Sequence, residues 1–597
     1  MNLKKISCVS GLISSSTAQA CLSVIVLLIL IFYAYIKASK GLDLTDEGMY
    51  IATPMRYALG DIPFRDEIMN VFRPFDIIIT PLYLLWPAIS LFEIRMVGSG
   101  LYLFSLILLF FLLARYGNKI FIALSCGIVF LINCFYGIYT PSYNSLSCIF
   151  SLVAMVLWLW SCMEYNRSKR VILSISGGLF LGLAVMSYFP MAALAILPFA
   201  FFLLSYLFYS EYQHVGFASG LFISSCIISI MLFGFIIIYA GLWPDFLEKL
   251  YMATSTTELV TTLAVLDKLV DLGNGLFCVV KPGIIYFGAL LACLVAMFRL
   301  RKMVLLSRII IVCIIVVMTL YYFYKYPVER LYFSMSLLMS VTSLFLPVPN
   351  NIPKSWKLIR LGTVLWGLIL VLIYAVSATG SWGTGVQGTA VLFSVGMLSF
   401  FVHNGLLLEK SGKTVWNCLG IFVLTVFFMA GMKYNYNNIY RDSEVSNLIT
   451  PFRHHKLRGI YSTPGKVKVI EEVLSYLERR VRPGDLMLAY NYIPMLYFLT
   501  DTRPSYGAAW ARDDWPLSVK KKLLEEMISK KRIPEYCIRM LTSSAYADWN
   551  KVVTYDENSF LHNYVTMNYQ LEKVIYPFEI LRYNKEPGSG KYDKVAP

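Results

Sequence analysis

The segment Thr45-Asp46-Glu47-Gly48-Met49-Tyr50 sets two carboxylates side by side just past the outer end of the first apolar run. A positioned Asp or Glu can take a proton from a hydroxyl as its oxygen attacks an electrophile. Asp46 is the first candidate for that base, and Glu47 is the neighbour that tunes or orients it. Acids at a helix end often do no more than solvate it, so the pair gains meaning from its surroundings. If the group displaced is a phosphate, fixed positive charge is needed beside it, because Arg and Lys pair with phosphate oxygens. The candidates are Arg73 before Pro74, Lys281 a few residues inside an apolar run before Pro282, and Lys325 and Arg330 flanking Tyr326-Pro327. Such residues can also snorkel to lipid headgroups. Lys281 is the sharpest of them, since an ionisable residue within a span is costly and usually functional.

The elements that position these residues follow from composition. The chain has 597 residues, 58% hydrophobic and only 15% charged, with mean hydropathy +0.64. Those values exclude a soluble globular or disordered protein and indicate a polytopic helical membrane protein. About thirteen runs reach the roughly 20 apolar residues that cross a bilayer as a helix. They centre near Leu28, Leu106, Ile128, Val156, Leu179, Phe199, Ile230, Leu290, Ile314, Leu338, Ile369, Val395 and Leu424. Residues 76–92 are also apolar but carry Pro81 and Pro87, and charge decides against their crossing. If they do not span, Arg115 and Lys119, then Arg167, Lys169 and Arg170, then Arg299, Arg301 and Lys302, then Lys354, Lys357 and Arg360 all share the side of Lys4 and Lys5. That satisfies the positive-inside rule, so 76–92 reads as a helix lying in the outer interface.

The formal charge of +16 is then largely cytoplasmic anchoring, with no interleaved basic and aromatic patch of the kind that tracks nucleic acid. Of the 12 cysteines only Cys537 follows residue 420, so the last part of the chain has no internal disulfide available. Ala18 to Ala20 resembles a cleavage motif but precedes the apolar run, so the first helix is expected to stay attached.

Three outer regions are large enough to build a site: 39–94, 244–275, and everything from 434 to 597. The membrane part is thus read as 1–433. An odd number of spans with an inside N-terminus places the last region on the same outer side as Asp46. Within it, Thr463-Pro464 reads as a helix start, 486–490 as a buried strand, 516–530 as an amphipathic helix, and 569–583 as strand material broken at Pro577, which predicts a small α/β domain. Leu259, Leu263, Leu266 and Val270, among Glu258, Asp267, Lys268 and Asp271, predict an amphipathic helix on the outer surface. His454 and His455 are adjacent and so poorly placed to face one metal together, while His214, His403 and His562 are isolated. A metal would have to use carboxylates such as Asp46 and Asp66; no metal or other cofactor is expected.

A carboxylate base outside a membrane has no nucleotide to draw on, so an energy-rich donor there is a group already attached to a lipid phosphate. The motifs agree. The acidic pair after the first helix, Gly60-Asp61-Ile62-Pro63-Phe64-Arg65-Asp66, Arg73-Pro74 through Pro81-Leu82-Tyr83, and Arg95-Met96 opening the second span resemble the GT-C superfamily of glycosyltransferases. The resemblance is to the branch with protein O-mannosyltransferases and lipid A aminoarabinose transferases. It continues through Gly182-Leu183-Ala184 and Arg330-Leu331-Tyr332, then weakly into 497–504. Two departures are Ser187-Tyr188 where a Lys is usual, and Arg73-Pro74-Phe75 where Lys-Pro-Pro or His-Pro-Pro is expected.

The resemblance implies inverting transfer of a sugar from a polyprenyl phosphate to a hydroxyl of a lipid, glycan or protein, with Asp46 as general base. Tyr50, Asp66 and Tyr332 are then candidates for contact with sugar or acceptor. The expected setting is a bacterial inner membrane with the site facing the periplasm. Two competing readings are a flippase or transporter of polyprenyl-linked glycans, and a ligase using polyprenyl diphosphate donors. A transporter would often show internal repeats and midplane charges, whereas polar residues here collect on one side.

Overall fold

Ser90 and Glu93 show how local sequence starts a helix in this chain. The Glu93 amide donates to Ser90 Oγ at 3.4 Å and the Ser90 amide donates to Glu93 Oε2 at 2.8 Å, a reciprocal cap that begins Leu91–Leu113. Asn118 caps Lys119–Ile132 through Ile120 N at 2.9 Å, and Ser142 with Ser145 caps Tyr143–Met163. The computed structural model describes residues 16–584 except 69–70, 72, 134–136, 209–212, 257–261, 300–304, 347, 349–351, 354, 378–385, 404–407, 409, 512–514 and 555–558. Lys4, Lys5, Glu258, Leu259, Arg301, Lys302 and Lys354 from the sequence reading lie outside the described residues.

Among the described residues eight helices are long and apolar enough to cross a membrane: Ser16–Ala38, Leu91–Leu113, Tyr143–Met163, Arg167–Ser187, His214–Tyr239, Val280–Met297, Ser355–Val376 and Lys413–Asn437. The protein is a multi-pass integral membrane protein. The expected centres at Ile128, Phe199 and Val395 fall on shorter apolar helices, Ile314 falls on Leu305–Lys325, and Leu338 falls on Val328–Phe345, whose first turn carries Glu329. Asn118 and Asn133 bound one of these helices, Pro190 sits in a 3₁₀ turn at Phe189–Ala195, and Leu398–His403 winds as a π-helix.

Residues 76–92 do not form a span: the helix there is Phe75–Leu85, 11 residues long, about half the length a crossing needs. The amphipathic helix expected within 244–275 is not a separate element. Trp243–Thr256 is one helix, and from Thr262 the chain runs unbroken to Arg299 through Pro282. The amphipathic pattern there is the opening of the long helix that carries Lys281. Gly182 is a packing position, for a Cβ there would come 1.7 Å from Ser229 Oγ. Small residues of this kind let membrane helices approach closely.

After the last span the chain changes architecture. Strands β1 (Thr450–Pro451) and β2 (Tyr461–Ser462) pair antiparallel. Strands β3 (Leu486–Tyr490), β4 (Arg503–Pro504), β5 (Tyr536–Met540), β6 (Tyr569–Ile575) and β7 (Phe578–Tyr583) form one sheet in the order β4-β3-β5-β7-β6. β3 runs parallel to β4 and β5, and β7 is antiparallel to β5 and β6. Thr463 caps Pro464–Leu477 through Lys466 N, and Leu517–Ser529 is the second long helix of this region. Ile470, Val473 and Leu477 share one buried cluster with Met487, Ile538 and Ile580, and that cluster also takes in Ile51, Ala52 and Met55 of the helix Asp46–Ala58. The sheet region and the first loop are therefore packed as one body.

Candidate active site

The helix Asp46–Ala58 is started by a residue the sequence reading passed over. Asp43 accepts from Thr45 N at 3.0 Å and Thr45 Oγ1 at 2.6 Å with one oxygen, and from Glu47 N at 2.8 Å with the other. Orphan amides at a helix N-terminus are satisfied this way, and the positive end of the helix favours acids in its first turn. Asp43 is 2% exposed. Burial, then the neighbouring Asp46, pushes its carboxyl from 3.8 up to about 6, against the pull of Arg441 and its own hydrogen bonds.

Glu47 is consumed by the fold. Arg95 donates Nε to Oε1 at 2.7 Å and Nη2 to Oε2 at 2.6 Å, and Thr140 Oγ1 donates to Oε1 at 2.5 Å. The same guanidinium reaches the carbonyls of Ala38 at 2.9 Å, Lys40 at 3.2 Å and Gly41 at 3.0 Å. Arg95 lies one turn inside the helix capped by Ser90 and Glu93, so that cap sets its reach. The two side chains are 9% and 2% exposed. Of the adjacent acids, Glu47 clamps the first loop to the second span.

Asp46 meets residues nearly 400 positions away. Tyr440 Oη donates to Asp46 Oδ2, and Arg441 Nη2 lies 3.3 Å from the same oxygen. Burial and then Asp46 raise the Tyr440 phenol far above its ordinary value, so it stays a donor. Arg441 is held with φ +53°, the left-handed region that costs a non-glycine residue energy. Three contacts fix this turn. Lys37 Nζ caps the last carbonyls of the final span, 2.6 Å from Asn435 O and close to Asn438 O. Asp442 accepts from Leu42 N at 2.9 Å, and Lys466 Nζ pairs with Asp442 at 2.7 Å.

Arg441 could have been found in the sequence. Tyr440-Arg441-Asp442 follows the last apolar run as Asp43 to Glu47 follows the first.

On another side stands an aromatic wall. Tyr50 meets Phe75 and Tyr143 edge-on at 6.2 and 5.9 Å, and the Arg73 guanidinium lies 4.4 Å over the Tyr143 ring. Tyr50 is buried, and burial, Tyr143 and Asp46 hold its phenol well above the usual range. Tyr440 and Trp510 pack against the same cluster. A pocket of about 20 Å³ bounded by Lys37, Asp43, Glu47, Arg95 and Tyr440 has room for a water molecule and none for a sugar. Asp46, at 13% side-chain exposure, keeps an open edge that Glu47 lacks.

Two solved structures are similar to this chain over most of its length. ArnT from Cupriavidus metallidurans bound to undecaprenyl phosphate is 12% identical, with 97% of this chain and all of that one covered and a TM-score of 0.44. The oligosaccharyltransferase AglB from Archaeoglobus fulgidus, in complex with an inhibitory peptide and a dolichol-phosphate, is 10% identical, with 87% and 69% covered and a TM-score of 0.48. No family model and no curated protein matches the chain.

Asp66 belongs to the seam that docks the sheet region. Fully buried Arg56 and Asp61 pair at 2.7 Å; Arg503 and Arg532 reach Asp61 at 3.2 and 3.0 Å, and Arg532 lies 3.5 Å from Asp66. Burial opposes the charge on Asp61, but Arg56 and Arg532 hold its carboxyl below the ordinary value. Met495 N donates to Leu44 O at 3.1 Å, and a Cβ on Gly48 would meet that nitrogen at 2.4 Å. Only glycine allows the helix Met495–Leu499 to sit so close to the acidic pair.

The other sequence candidates stand apart. Tyr332 is fully buried at 4.8 Å from Phe393 in the helix bundle. Lys325 is exposed, 3.0 Å from Tyr321 Oη, and Arg330 and Lys281 are also exposed. Among the described residues none of their contacts reaches Asp46. Of the four expected phosphate ligands, Arg73 alone joins the Tyr50 wall.

Proposed function

We propose that this protein transfers a sugar from a polyprenyl phosphate to an acceptor hydroxyl, with Asp46 as general base. One observation carries the assignment. Of the three acids gathered at the start of the helix, Asp43 and Glu47 are spent on caps and clamps, whereas Asp46 keeps a partly exposed side chain beside Arg441.

The acceptor oxygen attacks the anomeric carbon from the face opposite the phosphate, forming one C–O bond as the other breaks, and the configuration inverts. Its proton passes to an Asp46 carboxylate oxygen. The electron pair of the broken bond leaves on the polyprenyl phosphate, whose charge Arg73 and Arg441 offset. Tyr440 holds the Asp46 oxygen that Arg441 also faces, leaving the second oxygen for the acceptor. Half-buried Tyr143 and Trp510 offer apolar faces for a sugar ring, and buried Tyr50 supports Tyr143 edge-on. Lys281, Lys325 and Arg330 lack contacts toward this cluster among the described residues and are assigned no part in the step. An odd number of crossings, about thirteen by hydropathy, sets the cluster on the outer face, the periplasmic one in a bacterial inner membrane.

The test is release of free polyprenyl phosphate from a panel of polyprenyl-phosphate sugars by purified protein and by Asp46→Asn, with envelope extract as acceptor source. Release that depends on Asp46 is expected and names the sugar. Release only from polyprenyl diphosphate glycans would mark a ligase, and lipid translocation without release a flippase.

A further inference from the structure

The adjacent histidines converge where a regular strand would have pointed them apart. His454 has extended backbone, φ −57° and ψ 134°, whereas His455 opens the 3₁₀ turn His455–Leu457. That change of conformation between neighbours cancels the alternation that sends successive strand side chains to opposite faces. The rings lie 4.5 Å apart at 39°. His454 Nε2 is 2.9 Å from Glu478 Oε1, and donor atoms of His454, His455 and Glu478 all fall within 4.8 Å of one another. Adjacency in sequence makes the two histidines poor partners for one metal, and the change of backbone between them brings their donor atoms together.

Two further features point to a cation here. Glu478 is the C-cap of Pro464–Leu477, so its carboxylate sits at the negative end of a helix, where a positive charge is wanted. The His454 side chain is 7% exposed with Nε2 turned to Glu478, so its ring is already held in place for a shared ion. A tetrahedral Zn²⁺ with ligands at about 2.0–2.2 Å holds its donor atoms roughly 3.4 Å apart. Separations between 2.9 and 4.8 Å bracket that value, so side-chain rotations suffice. Two imidazoles and one carboxylate suit Zn²⁺ and its late first-row neighbours, with water completing the shell.

We infer that His454, His455 and Glu478 form a divalent-metal site of the zinc class. It is separate from Asp46 and fastens the segment after β1 to the end of the helix Pro464–Leu477. The turn His455–Leu457 packs on both Leu91–Leu113 and Met495–Leu499. Within it, Lys456 Nζ reaches Pro87 O at 3.1 Å and Asp501 at 2.8 Å. The metal therefore braces the seam between the sheet region and the start of the second span.

The test uses the full chain in detergent, free of any polyhistidine tag and stripped of metal, titrated with ZnCl₂ against a chromophoric chelator. One Zn²⁺ per chain is expected. His455→Ala and Glu478→Gln, both at exposed positions, are expected to weaken binding at least about tenfold, the loss that even an outer partner of a metal ligand causes. Their unfolding in EDTA is expected to match that of the parent, which shows the loss is not one of fold. No stoichiometric binding by the parent, or binding unchanged in both variants, overturns the site and leaves a plain His454–Glu478 pair.

Discussion

Glu47→Gln and Asp46→Asn are adjacent, isosteric and each remove one negative charge, yet they should fail in different ways. Glu47→Gln would leave Arg95 buried, with five short contacts reduced to carbonyls and one amide oxygen. Breaking one side of a buried pair costs about 3–5 kcal/mol. That loss falls on the fold, so the unfolding midpoint should drop sharply while turnover per folded molecule changes little. Asp46→Asn keeps an oxygen for Tyr440 and Arg441, so the fold should hold. Loss of a general base costs about 10²–10⁴ in rate, which is about 3–5 kcal/mol on the barrier. The energies are alike, and the observables separate them.

The assay pairs a thermal melt in detergent with polyprenyl phosphate release normalised to folded protein. Adding Arg95→Met to Glu47→Gln should recover part of the stability, because an apolar pair often replaces a buried ion pair at little cost. Full recovery is not expected, since Arg95 also holds the carbonyls of Ala38, Lys40 and Gly41. A Glu47→Gln protein that melts normally but does not turn over would refute this division of labour and make Glu47 a reacting group.

Three other outcomes follow from the same geometry. Arg73→Gln should weaken donor binding, read as a raised KM for the polyprenyl donor, whereas Lys281→Gln at its exposed position should leave it unchanged; the reverse pattern would move the phosphate site. With the Asp43 carboxyl pushed from 3.8 to about 6, the folded protein holds that proton more tightly than the unfolded chain. The stabilisation, about 3 kcal/mol for two pKa units, is full below about pH 4 and lost as pH rises through about 6. Asp43→Asn should flatten that stretch of a stability profile measured by denaturant titration. Gly48→Ala drives a methyl into Met495 N and should cost about 1–3 kcal/mol, seen as faster proteolysis between the last span and the sheet; an unchanged digest would show the contact is slack.

Much of the fold was legible because the signals are local. Thr463-Pro464 starts its helix, 486–490 is a strand, and Pro577 falls at the turn between β6 and β7. The charge argument against a crossing at 76–92 agrees with an 11-residue helix there. Helix boundaries were less legible, because Asn118, Asn133 and the π-helix at Leu398–His403 interrupt helices without interrupting an apolar run.

The site was half legible for a different reason. Residue type marks Asp43, Asp46 and Glu47 equally as possible bases, and nothing in their immediate sequence tells them apart. What separates them is which partners arrive from elsewhere. Arg95 and Thr140 take Glu47, the local amides take Asp43, and the turn after the last span brings Tyr440 and Arg441 to Asp46 alone. That turn reaches the first loop because Lys37 caps the final span and Asp442 binds Leu42, so the ends of the first and last spans are pinned together. If Asp46 is the base, as proposed, its selection is a consequence of closing the helix bundle. Lys37→Met should accordingly impair turnover without touching Asp46, and restoring the turn by a cross-link between the two span ends should recover it.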